Sequence, residues 1–252
     1  MSLQLRNLVC STAAALVFVL LVQPVCGDFV AADWDNDTIH ILDDGLNSTF
    51  SFATAVDPNG VTSDGELIFS GHFSSQEVIA YDLSGREQFR WSASLSLLQG
   101  MTIVGNELAI AQGGFTEFYD PMTGAFIRSF ANSSSGVEGL AFDGDLIWHL
   151  SDVIEGYDAK TGELVTTIVN AASDEPFGGT GIADAGPGRL ALAGTTGNWF
   201  IVSSADGSVI STGNNGVNTF GLGSVPNAIP EPSTCALVVL LSCGSLIYRR
   251  RS

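Results

Sequence analysis

Gly60-Val-Thr-Ser-Asp-Gly65, Gly100-Met-Thr-Ile-Val-Gly105, Gly139-Leu-Ala-Phe-Asp-Gly144, Gly181-Ile-Ala-Asp-Ala-Gly186 and Gly221-Leu-Gly-Ser-Val225 are versions of one segment. The leading glycines are spaced 40, 39, 42 and 40 residues apart. A fixed period in this range is the mark of a repeat architecture. After each of the first four segments the same order recurs. A short apolar strand comes first: Leu67–Ser70, Leu108–Ala111, Leu146–Leu150 and Leu190–Ala193. A polar turn follows, then a third strand: Val78–Asp82, Phe115–Asp120, Ile154–Asp158 and Trp199–Ser203. A tight turn and a fourth strand complete the unit: Glu87–Trp91, Ala125–Phe130, Glu163–Val169 and Ser208–Thr212. Val, Ile, Phe, Tyr and Trp fill these runs, and Gly, Asp and Pro bound them.

Four strands per unit of about 40 residues describe a propeller blade. A β-sandwich is the main alternative, but it has no reason to repeat its sequence at this interval. The turns Asp120-Pro-Met-Thr-Gly124 and Asp158-Ala-Lys-Thr-Gly162 resemble those in repeats of quinoprotein-like and other bacterial propellers. The ends set the blade number. Gly221–Val225 supplies a first strand alone, whereas Phe29–Asp33, Thr38–Asp43 and Ser48–Phe52 supply a second, third and fourth. Joined, they make one blade and leave no open edge. The sequence therefore predicts an all-β, five-bladed propeller over residues 28–225, closed by strands from both chain ends.

The two ends read as addresses. Arg6 precedes an apolar run from Leu8 to Val22, and Val25 and Gly27 suit the small positions before a signal cleavage site. A signal peptide over 1–27 is expected, cut after Gly27. At the other end come Pro230-Glu231-Pro232, a short apolar run from Ser233 to Tyr248, and Arg249-Arg250-Arg251. An apolar segment followed by arginines reads as a membrane stop with its basic end inside. Motif, run and basic cluster, in this order, resemble the PEP-CTERM sorting signal, here over 226–252. That resemblance implies a transient transmembrane helix and processing by an exosortase-type protease near Pro230–Pro232. It also implies delivery from the inner membrane to the cell surface or an exopolysaccharide matrix of a Gram-negative bacterium.

The chain carries 27 acidic and 9 basic residues, a net charge of −18. A field this negative repels phosphate backbones, so nucleic acid is excluded as a partner. Cys10, Cys26, Cys235 and Cys243 all lie in the terminal segments, so the repeat has neither a disulfide framework nor a cysteine metal site. Its stability must come from apolar burial and sheet hydrogen bonds.

Candidate sites are few. Asp33-Trp-Asp35-Asn-Asp37 places alternating carboxylates as a calcium loop does, but Thr38 stands where such a loop needs glycine. A hairpin turn is the competing reading, because Asp and Asn favour turns. In a propeller the first strand of each blade lines the central channel. Asn59, Gln99, Glu138, Thr180 and Phe220, each just before a leading glycine, should therefore ring one mouth and could hold a small ligand, an ion or water. His40, His72 and His149 sit at dissimilar repeat positions. Trp91 and Trp148 read as core between blades, whereas Trp34 and Trp199 border turns and read as exposed platforms. No phosphate loop, nucleophile elbow, His-Glu-x-x-His or Cys-x-x-Cys occurs. Three readings follow: a non-enzymatic matrix protein that binds polysaccharide, a glycan-active hydrolase or lyase using carboxylates near Glu138, or a structural spacer. No cofactor other than calcium is suggested.

Overall fold

A computed structural model of the chain describes residues 29–93, 98–112, 114–133, 136–175 and 179–226. The expected leader, the Pro230-Glu231-Pro232 motif and the apolar run with Arg249–Arg251 lie outside the described residues. So does the helix expected on either side of the repeat.

Twenty strands form five four-stranded antiparallel sheets. The first blade contains β1 (Phe29–Asp33), β2 (Thr38–Leu42) and β3 (Ser48–Ala53). The next comprises β4 (Pro58–Ser63), β5 (Leu67–His72), β6 (Glu77–Asp82) and β7 (Glu87–Ser92). Then come β8 (Met101–Val104), β9 (Glu107–Gln112), β10 (Phe115–Tyr119) and β11 (Phe126–Ala131). The fourth blade is β12 (Gly139–Phe142), β13 (Leu146–Leu150), β14 (Val153–Asp158) and β15 (Leu164–Val169). The fifth is β16 (Gly181–Asp184), β17 (Arg189–Ala193), β18 (Asn198–Ser203) and β19 (Val209–Asn214). Last in sequence, β20 (Thr219–Ser224) pairs with β1 and completes the first blade in the order β20-β1-β2-β3. The fold is the five-bladed β-propeller expected, with strand ends shifted by one or two residues.

β20, β4, β8, β12 and β16 touch in succession and close a ring around the axis. The leading glycines explain how they approach. A Cβ on Gly100 would lie 2.9 Å from the carbonyl carbon of Gly139, and one on Gly181 would lie 2.9 Å from the amide of Leu222. One on Gly60 would run into the Leu98 and Gln99 carbonyls, and one on Gly221 into the Asn59 carbonyl. The period-40 glycine is thus the residue that lets neighbouring inner strands meet backbone to backbone.

The core consists of five apolar slabs, one per blade interface. Val30, Ala32 and Ile39 meet Val61, Ile68 and Ile79. Phe69 and Val78 meet Met101, Leu108 and Ile110. Phe118 and Ala109 meet Leu140 and Ile147. Trp148 and Ile154 meet Ile182, Leu190 and Val202. Ala183 and Ala191 meet Phe29, Ala31 and Leu222. Alternation along each strand sends successive side chains to opposite slabs.

Each third strand is bulged against the fourth at the same point: Ile41/Leu42, Ala80/Tyr81, Phe118/Tyr119, Gly156/Tyr157 and Ile201/Val202. A bulge increases local twist, which lets the outer strand splay from the axis. The Asp turn follows at once. The Asp120 carboxylate accepts the Met122 and Thr123 amides at 3.0 and 2.8 Å, and Asp158 accepts those of Lys160 and Thr161 at 2.9 and 2.7 Å. The Thr123 hydroxyl together with these amides holds the Asp120 carboxyl below the usual carboxylate range, and the Thr161 and Lys160 amides do so for Asp158. Gly124 and Gly162 then take φ +69° and +72°, which seats them on Trp91 and Phe130 of the preceding blade.

Candidate functional site

Inner strands begin at what we call the upper mouth and end at the lower mouth. Asn59, Gln99, Glu138, Thr180 and Phe220 stand at the upper mouth, because each precedes a glycine of the closed ring. They are not equivalent. Gln99 Nε2 donates to Glu138 Oε2 at 2.9 Å, linking two blades. Burial alone pushes the Glu138 carboxyl up from its ordinary value. Thr180 is buried, and its hydroxyl donates to the Thr219 carbonyl, so it locks two inner strands rather than facing a ligand. Asn59 is buried with its Oδ1 unpartnered. The expected ring thus resolves into one polar pair, one structural hydroxyl and one unsatisfied amide oxygen.

Phe220 belongs to an aromatic cluster. Trp34 stands 5.7 Å from Phe220 and 5.5 Å from Phe73, centroid to centroid. Trp34 and Phe73 occupy the second-to-third-strand turns of adjacent blades, so the cluster sits at the same mouth as Gln99 and Glu138. Phe73 is 40% exposed. Phe73 carries no repeat signature, because it stands in a turn. Only the ring's register could have placed it beside Phe220.

Asp33, Asp35 and Asp37 form the hairpin turn rather than a chelate. Asp33 is buried, and its two oxygens accept from the amide and side-chain nitrogens of Asn36 at 3.1 and 2.9 Å. Asp35 accepts from Asn218 Nδ2. Asp37 takes φ 48° as the turn requires. Among the described residues no three His, Cys, Asp or Glu side chains gather in a group that could hold a metal ion.

The histidines are scattered. His40 Nε2 stands 3.8 Å from Asp33 Oδ2, and burial lowers its pKa against that carboxylate's pull. His72 is buried, with Nδ1 2.9 Å from the Val56 carbonyl. His149 packs in a triangle of rings with Tyr157 and Phe130, with Nε2 3.1 Å from Thr116 Oγ1 of the neighbouring blade. Burial pushes its pKa down to about 3. Trp148 is core, and Trp91 packs between blades with its indole N–H donating to Pro121 O at 3.1 Å. Trp199 is not an exposed platform. It packs against the Ala193 and Val217 slab and over Gly213, because the glycine leaves room for the indole.

A second concavity opens at the other mouth. A funnel of about 750 Å³ is lined by the ends of the inner strands and the turns after them. Its polar lining includes Thr62, Thr102, Asp143, Asp184 and Arg189. The chain's first described residue, Phe29, and its last, Pro226, also border it. The sequence carries a signal for this site in its repeat register. The positions two to five residues beyond each leading glycine point to the lower mouth as surely as the position before it points to the upper one.

No family model matches the chain, and no curated protein matches it. Solved structures do: 1337 chains match, so the fold is too widely shared to single out an activity. One is the glutaminyl cyclase of Myxococcus xanthus, similar at a TM-score of 0.57 and 16% identity over 66% of this chain and 81% of that one. At that identity the likeness shows the five-bladed fold and nothing finer.

Proposed function

We propose that this chain is an exported surface or matrix protein whose propeller binds polysaccharide without catalysis at its upper mouth. The observation that carries binding is the placement of the half-exposed Trp34–Phe73–Phe220 cluster beside the Gln99–Glu138 pair. Aromatic rings cover the C–H face of a sugar, while an amide and a carboxyl satisfy its hydroxyls. Export and sorting rest on the leader and on the PEP-CTERM-like tail, with Pro230, Glu231 and Pro232 at the processing point and Arg249, Arg250 and Arg251 holding the inside end. The exosortase-type protease is the partner this reading requires. Intact Tyr248–Ser252 in protein recovered from the native envelope would overturn the processing step.

The binding test is co-sedimentation of the full chain with exopolysaccharide from its source organism. Saturable binding is expected, and Trp34→Ala should weaken it about tenfold, since stacking on one exposed ring is worth about 1–1.5 kcal/mol. No saturable binding would leave only the spacer role. One observation favours a second reading: a carboxyl raised by burial, as Glu138 is, can hold a proton for transfer to a leaving group. Shortening of the polymer, abolished by Glu138→Gln, would establish a hydrolase or lyase instead.

A further inference from the structure

The funnel at the lower mouth is chemically unlike the upper one. Thr62 and Thr102 line it, although they are only 2% and 4% exposed. Neither hydroxyl has a hydrogen-bond partner among the described residues. Neither belongs to the buried, unsatisfied polar atoms of the described residues, so both hydroxyls reach the open space of the funnel although the rest of each residue is covered. Both occupy the third position of the leading segment, where Ala141, Ala183 and Gly223 stand in the other blades. Packing there accepts a small apolar residue, so packing does not explain two threonines.

The charged groups differ in how far they are committed. Asp143 is saturated: Oδ1 accepts the Asp145 and Leu146 amides at 2.9 and 2.8 Å, and Oδ2 accepts the Trp148 indole at 2.8 Å. Asp184 accepts only the Gly186 amide, at 3.0 Å on Oδ1, which leaves Oδ2 available. The lining holds three carboxylates, on Asp44, Asp143 and Asp184, against the single guanidinium of Arg189. Phe142, Ile201 and Val225 give the wall partly exposed apolar surface. The volume falls within the roughly 300–1,000 Å³ of small-molecule sites.

We propose that the funnel binds a hydroxylated cation of the amino-sugar class, with Asp184 Oδ2 taking the ammonium and the Thr62 and Thr102 hydroxyls taking ring hydroxyls. The excess of carboxylates selects the positive ligand, and the apolar wall covers its C–H face. Arg189 is the one cation that acts on Asp184, and it leaves the lining with more carboxylates than cations, which a neutral sugar would not offset. A bare cation would make no use of the two threonine hydroxyls. The site is separate from the Gln99–Glu138 mouth, so it does not depend on polysaccharide binding there.

The test is calorimetric titration of the full chain, in detergent, with the β-1,4-linked glucosamine trimer and with its N-acetylated counterpart. Saturable binding is expected, at least about tenfold tighter for the free amine. Asp184→Asn should erase that preference. Thr62→Val should weaken binding about tenfold while leaving the melting temperature unchanged, because an unpaired hydroxyl contributes no protein hydrogen bond to lose. Equal affinity for the two trimers, no saturation, or full affinity in the Thr62→Val protein would each overturn the proposal.

Discussion

The inner and outer edges of each blade obey different rules. The inner strands are buried along nearly their whole length: β4 is buried at every residue, and β12 and β16 at all but their last. The outer strands β3, β7, β11 and β19 have no fully buried residue, and β15 has one. At the axis, a missing Cβ is the condition for two backbones to meet. At the rim, Phe126 is 58% exposed and Val169 68%, so most of each side chain stands in solvent. Tolerance to substitution should therefore rise steeply from axis to rim.

The strongest way to break that contrast is at the closure. Gly221→Val would drive a side chain into the Asn59 carbonyl, where the chain's two ends hold the ring together. Overpacking against backbone should cost at least about 3 kcal/mol, or roughly 6–12 °C in melting temperature by calorimetry. Unchanged stability would mean that the ring is looser than the glycine contacts imply.

Acid sharpens the contrast next. His149 is neutral when folded, with its pKa pushed down to about 3, whereas in the unfolded chain it takes up a proton near 6.5. Below pH 6.5 the unfolded state thus binds more protons, and stability falls as pH falls towards 3. One such group removes about 2 kcal/mol between pH 6.5 and 5. His149→Leu should flatten this limb of a denaturation series. The exposed rim turns at Asp82, Asp120, Asp158 and Asp206 have lowered carboxyl pKa values, so their stabilisation is present above the unfolded pKa. It is lost as pH falls from the unfolded value through the folded one.

The smallest effect belongs to the rim itself. Ile127 on β11 is 46% exposed, and Ile127→Gln should shift stability by no more than about 0.5 kcal/mol. A larger loss would show that the outer strand is covered in solution.

The same axis-to-rim gradient decided what was legible. The glycines at 60, 100, 139, 181 and 221 repeat because space at the axis leaves no alternative, so their spacing disclosed blade number and closure. The third-strand bulges left no trace, because a bulge is a shift of pairing that several residue pairs accommodate, from Gly156/Tyr157 to Ile201/Val202. Trp199 misled because a tryptophan beside a turn looks exposed until Gly213 across the strand pair is seen to make room for it. Asp33–Asp37 offered carboxylates at the spacing of a calcium loop, but in the turn the backbone and side-chain nitrogens of Asn36 engage Asp33. The funnel was missed because Thr62 and Thr102 are ordinary strand residues until the missing hydrogen bonds are known.

Both ends of the described chain, Phe29 and Pro226, emerge at the funnel rim. A tether running on from Pro226 reaches Pro230 within four residues, a span of at most about 14 Å. A propeller held by that tether would stand on its lower face, funnel towards the membrane, and show Trp34, Phe73 and Glu138 outwards. Cutting the tether would free a face that had been shaded. Under the proposed sorting, the place where the chain closes its own circle would therefore also set which side of the molecule meets the world first.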